Sequence, residues 1–190
     1  MDQREDARAI GGQRAASEHV ALAALVQRYQ QPLGAYVFYL TGDLDLALAI
    51  TRETFIRCRP AAVRHVDGIG QRAALYRFAT RLALGRMRDA HPSRRRRIPR
   101  PWARRDAPPS GVAVELGVEP GNAERGLAQA ALRGLAPGER AVLLLGDLER
   151  FPLAEVAAIL DVSRDAALGQ LARARARFRL ACVAACRARA

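Results

Sequence analysis

Phe151-Pro-Leu-Ala-Glu-Val-Ala-Ala-Ile-Leu-Asp-Val-Ser163, continued by Arg164-Asp-Ala-Ala-Leu-Gly-Gln-Leu-Ala-Arg-Ala-Arg-Ala-Arg-Phe178, decides the reading of this chain. Pro152 stands where a first helical turn tolerates a missing N–H. The helix behind it presents Val156, Ala157 and Leu160 as its buried side, and small Ala157 lets a second helix cross closely. Asp161 takes the turn, where Gly or Asn would be easier. Val162 plugs the angle, and Ser163 is placed to N-cap the next helix. In that second helix Ala167, Leu171, Ala174 and Phe178 form an apolar stripe. The outward side carries Ser163, Arg164, Asp165 and Leu168, with Gln170 and Arg173 at its edge and Arg175 and Arg177 behind. This is the pattern of a helix-turn-helix whose second helix enters a major groove. A helical hairpin with basic decoration fits less well, because the Ala-x-Ile-Leu-x-Val-Ser spacing is specific and the Arg series follows it.

The rest of the 190-residue chain is read in the same terms. Lys and Arg together number 31 against 19 Asp and Glu, a formal charge of +12. All of these cations are Arg. Such an excess attracts a polyanion and releases its counterions, so nucleic acid is the expected partner. Hydrophobic residues make up 50% and aromatic residues 5%, with Ala and Leu abundant, which favours helices. The N-terminus is polar and no apolar run reaches membrane-spanning length, so neither export nor membrane insertion is expected and the cytoplasm is the default. Three cysteines (Cys58, Cys182 and Cys186) lack the spacing of a disulfide framework.

Upstream, apolar residues recur at helical steps from Val20 to Leu40, with Pro32 predicting a break or kink near Gln31. Thr41-Gly-Asp43 reads as a helix stop and a new N-cap, opening a helix over about 44–59. A further helix is expected over about 72–88. Residues 91–122 hold six prolines and the run Arg94-Arg-Arg-Arg97, which reads as a flexible basic linker. Trp102 lies within it. Helices resume at Ala123, with Leu127, Ala130, Ala131, Leu132 and Leu135 on one face, then Val142, Leu143, Leu144 and Leu145 on the next. The expected fold is all-α: two small helical domains joined by a flexible basic linker.

Leu135-Ala-Pro-Gly-Glu-Arg140 through Ser163 resembles the promoter-binding domain, region 4, of extracytoplasmic-function sigma factors of the sigma-70 family. Leu25-Val-Gln-Arg-Tyr-Gln-Gln-Pro-Leu33, Leu40-Thr-Gly-Asp43, Glu53-Thr-Phe-Ile-Arg57 and Leu75-Tyr-Arg-Phe-Ala-Thr-Arg-Leu-Ala-Leu84 resemble the family's region 2, in the family's order. The resemblance implies an N-terminal tail over 1–17, a region 2-like domain over 18–90, a linker over 91–122, a region 4-like domain over 123–180 and a C-terminal tail over 181–190. It implies binding to RNA polymerase core and to promoter DNA, with an anti-sigma factor as a further candidate partner. It calls for no cofactor, metal, catalytic side chain or small-molecule substrate.

Residue by residue, Ser163, Arg164, Asp165, Leu168, Gln170, Arg173, Arg175 and Arg177 correspond to the −35 side. Arg72, Tyr76, Arg77, Arg81, Arg86 and Arg88 correspond to the −10 side, where arginines suit phosphates and an aromatic suits an unpaired base. Tyr76 fits a buried packing position equally well. Asp43, Asp45, Arg52 and Glu53 correspond to the polymerase contact. The chain also departs from the family. Leu48, Ala49 and Arg52 replace an acidic pair and a Gln. Ala74, Arg81 and Gly85 stand where Trp, Asn and Asp are usual. Ala166-Ala-Leu-Gly-Gln170 replaces Thr-Val-Lys-Ser-Arg, removing two cations and two hydroxyls from the reading face. Gln170 remains suited to adenine and Arg164 to guanine.

A regulator acting without polymerase would also use the helix-turn-helix, but would not need the N-terminal block. An enzyme is disfavoured, since His19, His65 and His91 have no triad-like or metal-ligand neighbours in sequence. Cys182 and Cys186, one helical turn apart, read as two small buried residues on an Ala-rich helix rather than as a metal or redox pair.

Overall fold

The computed structural model describes residues 3–58, 70–89 and 123–187, with side chains described from residue 19 onward in the first segment and from 126 onward in the last. Seven helices are present among these residues: α1 (Gln3–Thr41), α2 (Leu44–Arg57), α3 (Gln71–Asp89), α4 (Ala123–Arg133), α5 (Pro137–Leu143), α6 (Leu153–Leu160) and α7 (Arg164–Arg187). A five-residue π-helical turn, Leu144–Leu148, follows α5 directly. The expected linker 91–122, with Trp102, lies outside the described residues, as do His65, His91 and most of the loop before α3.

The local signals explain most boundaries. Gly42 takes φ +72 at the end of α1, and the Asp43 side chain accepts the Leu46 N–H at 2.9 Å to start α2. Cys58 closes α2, with its N–H bonded to the Thr54 carbonyl at 2.7 Å. The expected break at Pro32 does not occur. Helix α1 continues through it to Thr41. A proline removes one i→i−4 hydrogen bond, but Gln31 and Pro32 are exposed, so water reaches the freed carbonyl. Buried Leu25, Leu33, Tyr36, Val37 and Leu40 anchor the helix on both sides of that point. Helix also occupies the stretches read as tails: α1 begins at Gln3, and α7 runs on to Arg187. On that last stretch Cys182 is only half-buried and Cys186 is exposed, so the expected burial of the pair does not hold.

Helices α1, α2 and α3 pack around Tyr36, Val37, Leu40, Ile50, Leu75 and Tyr76, all fully buried. Three threonines sit in this apolar setting. Thr51 and Thr54 return their hydroxyls to the carbonyls of Ala47 (2.7 Å) and Ile50 (2.8 Å), and Thr80 returns its own to Tyr76 (2.6 Å). Helices α4 to α7 enclose Val142, Leu145, Val156, Ile159, Ala167 and Ala174. Ile159 takes the core position expected of Leu160, which is only half-buried.

The two halves share one continuous core. Arg140, 5% exposed, is one polar element of that junction. Its guanidinium donates to the Leu40 carbonyl at 2.7 Å, to Arg133 at 3.1 Å and to Leu135 at 3.2 Å. The last carbonyls of a helix have no intrahelical donor, and a cation there is favoured by the helix dipole. One side chain of α5 thereby closes the C-terminal ends of α1 and α4. Its burial, and the nearby Arg133 charge, lower its pKa below the usual arginine value. Replacing Arg140 by Ala should orphan these carbonyls and lower stability by about 3 kcal/mol. Urea unfolding measures this as a lower midpoint; a loss below about 1 kcal/mol would show that water replaces the guanidinium.

Candidate nucleic-acid interface

Helices α6 and α7 form the helix-turn-helix. Its turn depends on Asp161, which adopts the left-handed conformation (φ 59, ψ 47). Asp is among the few non-glycine residues that tolerate this region. Val162 then bonds back through its N–H to the Ala157 carbonyl at 3.0 Å, and the Ser163 hydroxyl accepts the Ala166 N–H at 3.2 Å. Ala167, Leu171 and Ala174 face inward, as expected. Arg164, Asp165, Leu168 and Arg173 are exposed, and Gln170 is half-buried.

The trailing arginines differ from one another. Arg175 is paired through Nε to both oxygens of Asp147, at 3.0 and 3.2 Å, which raises its pKa. Arg177 donates to Glu139 at 2.7 Å. Both cations are thus oriented by carboxylates on the π turn and α5, within their own half. Gly169 leaves the Arg173 guanidinium 3.4 Å from where a Cβ would stand.

The arginines of α3 are engaged more deeply. Arg72 donates to Glu149 through its backbone carbonyl (2.8 Å) and its carboxylate (2.9 Å), and stacks 4.1 Å from the Phe151 ring centroid. Tyr76, the position with two readings, is fully buried. Its hydroxyl donates to the same Glu149 carboxylate at 2.6 Å, while its ring meets Tyr36 at 5.1 Å and Phe151 at 5.0 Å. Arg81 reaches Asp161, in the helix-turn-helix turn, at 3.3 Å. Arg86 donates to Glu53 at 3.0 Å, so one residue expected at DNA pairs with one expected at polymerase. Arg57 shares that Glu53 at 2.7 Å. Arg77 is half-buried, and Arg88, Asp45 and Arg52 are exposed. Asp43 is occupied in part as the cap of α2.

Glu149 was not singled out by sequence reading, although it is the acceptor that α3 converges on. It lies between the π turn and Arg150, which takes the left-handed φ 54 before Phe151-Pro152. A π turn has no periodicity signature, and neither does a left-handed arginine. Nothing local in Asp147-Leu-Glu-Arg150 distinguishes the acid that is drawn inward from the acid that stays out.

A protein of two helical blocks, one carrying a helix-turn-helix, is thereby defined. The family description "Sigma-70, region 4" matches residues 125–178. The "ECF RNA polymerase sigma factor SigG" of two Mycobacterium tuberculosis strains is 32% identical over 177 residues, covering 82% of this chain and 47% of the mycobacterial protein. The chain is thus similar to extracytoplasmic-function sigma factors over most of its length and to sigma-70 region 4 over residues 125–178. It spans about half the length of the curated relatives it matches.

Two solved structures share its fold. One is CnrH in complex with the cytosolic domain of CnrY (TM-score 0.59, 20% identity, 91% of this chain and 94% of that one). The other is the sigma factor RpoE of Bartonella quintana in complex with the anti-sigma factor NepR (TM-score 0.62, 17% identity, 84% and 94%).

Burial raises the pKa of both core tyrosines. For Tyr36 the hydroxyl of Thr80 opposes this in part; for Tyr76 the negative charge of Glu149 adds to it. The folded state therefore favours neutral phenols, and stability that is complete below pH ~10 is lost as pH rises above it. Alkaline difference spectroscopy should show these two tyrosines ionising only with unfolding. Their ionisation in the folded protein near pH ~10 would contradict the burial.

Proposed function

We propose that this protein binds bacterial RNA polymerase core in the cytoplasm and directs it to promoters, reading a −35 element with α7 and a −10 element with α3. The observation that carries the reading is the helix-turn-helix: a left-handed Asp161, a Ser163 cap, and an exposed face at the start of α7. Recognition helices of this kind contact bases through their N-terminal residues. Arg164 and Gln170 are the base-reading candidates, suited to guanine and adenine respectively. Ser163, Asp165 and Leu168 complete that face, and Arg173, Arg175 and Arg177 serve phosphates. On α3, Arg72, Arg77, Arg81, Arg86 and Arg88 bind the backbone near the melted element. Asp43, Asp45, Arg52 and Glu53 of α2 and its cap contact polymerase. Binding and strand capture suffice for this task, and no side chain is assigned a catalytic step.

The charge excess supports the same partner. Phosphate contacts supply most non-specific affinity and make it salt-dependent. No helix among the described residues is long and apolar enough to cross a membrane.

Core polymerase supplemented with the protein should yield run-off transcripts from a cognate promoter that core alone does not make. Absence of co-elution with core, together with retained DNA binding, would instead establish a regulator that works without polymerase. Arg173→Ala with Arg175→Ala should weaken binding to all duplexes alike and reduce the salt slope by about 2, one per lost phosphate contact. An unchanged slope would remove both residues from the interface.

A further inference from the structure

Two neighbouring residues of α7 have no role inside the protein. Leu168 is 54% exposed, although the buried stripe of the helix is complete without it in Ala167, Leu171 and Ala174. At 3.6 residues per turn Leu168 lies about 90° round the helix from that stripe, and Gly169 lies on the side opposite to it. A Cβ added at Gly169 would meet only the tip of the Arg173 side chain, at 3.4 Å, which is an ordinary contact. Its φ is not positive either, since Gly42 alone among the described glycines takes that conformation. Gly146 is different, because an added Cβ there would press on the buried Leu171 at 3.3 Å. A glycine inside a helix costs stability relative to alanine. What it offers at position 169 is close approach of an outside surface to the helix backbone.

The surroundings indicate which surface. Arg164 and Arg173 are exposed on either side of Leu168 in sequence, and Arg175 is oriented by Asp147. A cationic rim matches the phosphates of a duplex, and the centre must then match base edges. Ala172, also exposed, lies one turn beyond Leu168. Neither side chain can donate or accept a hydrogen bond. In the major groove the edges of guanine, adenine and cytosine offer acceptors and amino donors, whereas thymine also carries a C5-methyl group. Polar edges pressed against Leu168 would lose water without a replacement partner. The thymine methyl gains by the same burial.

We propose that Leu168 is a specificity-determining residue that selects thymine in the recognised DNA element by packing on its C5-methyl group, an approach that Gly169 permits. This rests on the reading of α7 as the base-contacting helix. Ala172 extends the apolar contact along the groove. Asp165, exposed on the same side, accepts only, so it favours a neighbouring base with an amino group. Selection at Leu168 is made by shape and desolvation, and hydrogen bonding at its neighbours adds to it.

The full chain, free and with core polymerase, is used to select duplexes from a randomised pool, and each enriched thymine is replaced by deoxyuridine. That exchange removes one methyl group and leaves every hydrogen-bonding atom in place. At the position under Leu168 it should weaken binding about fourfold, which corresponds to ~0.8 kcal/mol for one buried carbon at 1.4 kcal/mol per tenfold. Leu168→Ala should bind thymine and deoxyuridine duplexes with nearly equal affinity. A residue that only supports the helix would weaken both alike and leave the fourfold ratio intact. Leu168→Lys should move the enriched base from thymine to guanine. Gly169→Ala should raise the urea midpoint yet weaken binding severalfold. Equal affinity for thymine and deoxyuridine at every position, a ratio unchanged in Leu168→Ala, or wild-type binding by Gly169→Ala would each overturn the proposal. Run-off transcription on the same duplexes separates it from the function it rests on. Transcripts indifferent to deoxyuridine sink thymine selection and leave the sigma function standing. Binding that senses deoxyuridine without transcripts supports thymine selection and sinks the polymerase-directed function. Failure to bind any duplex, with or without core, overturns both.

Discussion

A buried guanidinium with no carboxylate beside it organises this molecule. Arg140 donates to the carbonyls of Leu40 and Arg133, where helical backbone has run out of its own donors, and to that of Leu135 in the bend that follows α4. Helix α1 spans 39 residues and ends at Thr41; without Arg140 its last turn would face the apolar interior with an unsatisfied carbonyl. The same side chain fixes where α4 stops and α5 begins, since Arg133 and Leu135 flank that turn. Arginine is suited to this because its planar fork holds several acceptors at once, which a lysine ammonium on a flexible stem does not do. From that anchor the rest follows in sequence. The π turn leaves α5, Glu149 is brought to α3, and Phe151 closes the aromatic group with Tyr76 and Tyr36.

Charge placement gives the structure a second layer of meaning. A chain carrying +12 could scatter its arginines over the surface. Here they differ in what holds them. Arg175 and Arg177 are oriented by carboxylates of their own half, so on the proposed reading a phosphate could replace or join the acid at little cost in conformational freedom. Arg72 and Arg81 are oriented by the opposite half. The first kind of pairing presents a cation; the second withholds one. Both kinds are short ion pairs in the same protein, and only the location of the acid distinguishes them.

Much of this fold was legible from residues. Gly42-Asp43 gave a stop and a cap that the backbone adopts at φ +72 and with a 2.9 Å cap bond. The helix-turn-helix was readable down to the turn residue and the Ser163 cap, because each position there has a local chemical reason. Pro32 misled, since a helix held by buried residues on both sides tolerates one missing bond at an exposed site. The junction between halves was not readable. Arg140 and Glu149 act through partners far away in sequence (100 residues to Leu40, 77 to Arg72), and no periodicity encodes such pairs. Tyr76 shows the limit well. Its residue type fitted a base-stacking surface and a core equally, and only the position of Phe151 and Glu149 puts it in the core.

The donor-poor face of α7 and the occupied face of α3 have a common physical logic. Ala166, Leu168 and Gly169 leave few groups able to bond a base edge, so on the proposed reading the C-terminal half alone would hold DNA weakly. On α3, Arg72 and Tyr76 are paired with Glu149. Two weak sites joined by a tether gain strength only when both engage, because the second contact then forms at a high effective concentration. Discrimination then comes from the spacing between sites as well as from the chemistry at each one. On the proposed reading, a recognition helix with few donors is compatible with selectivity, since two contacts at a set spacing, rather than base readout at one, decide binding.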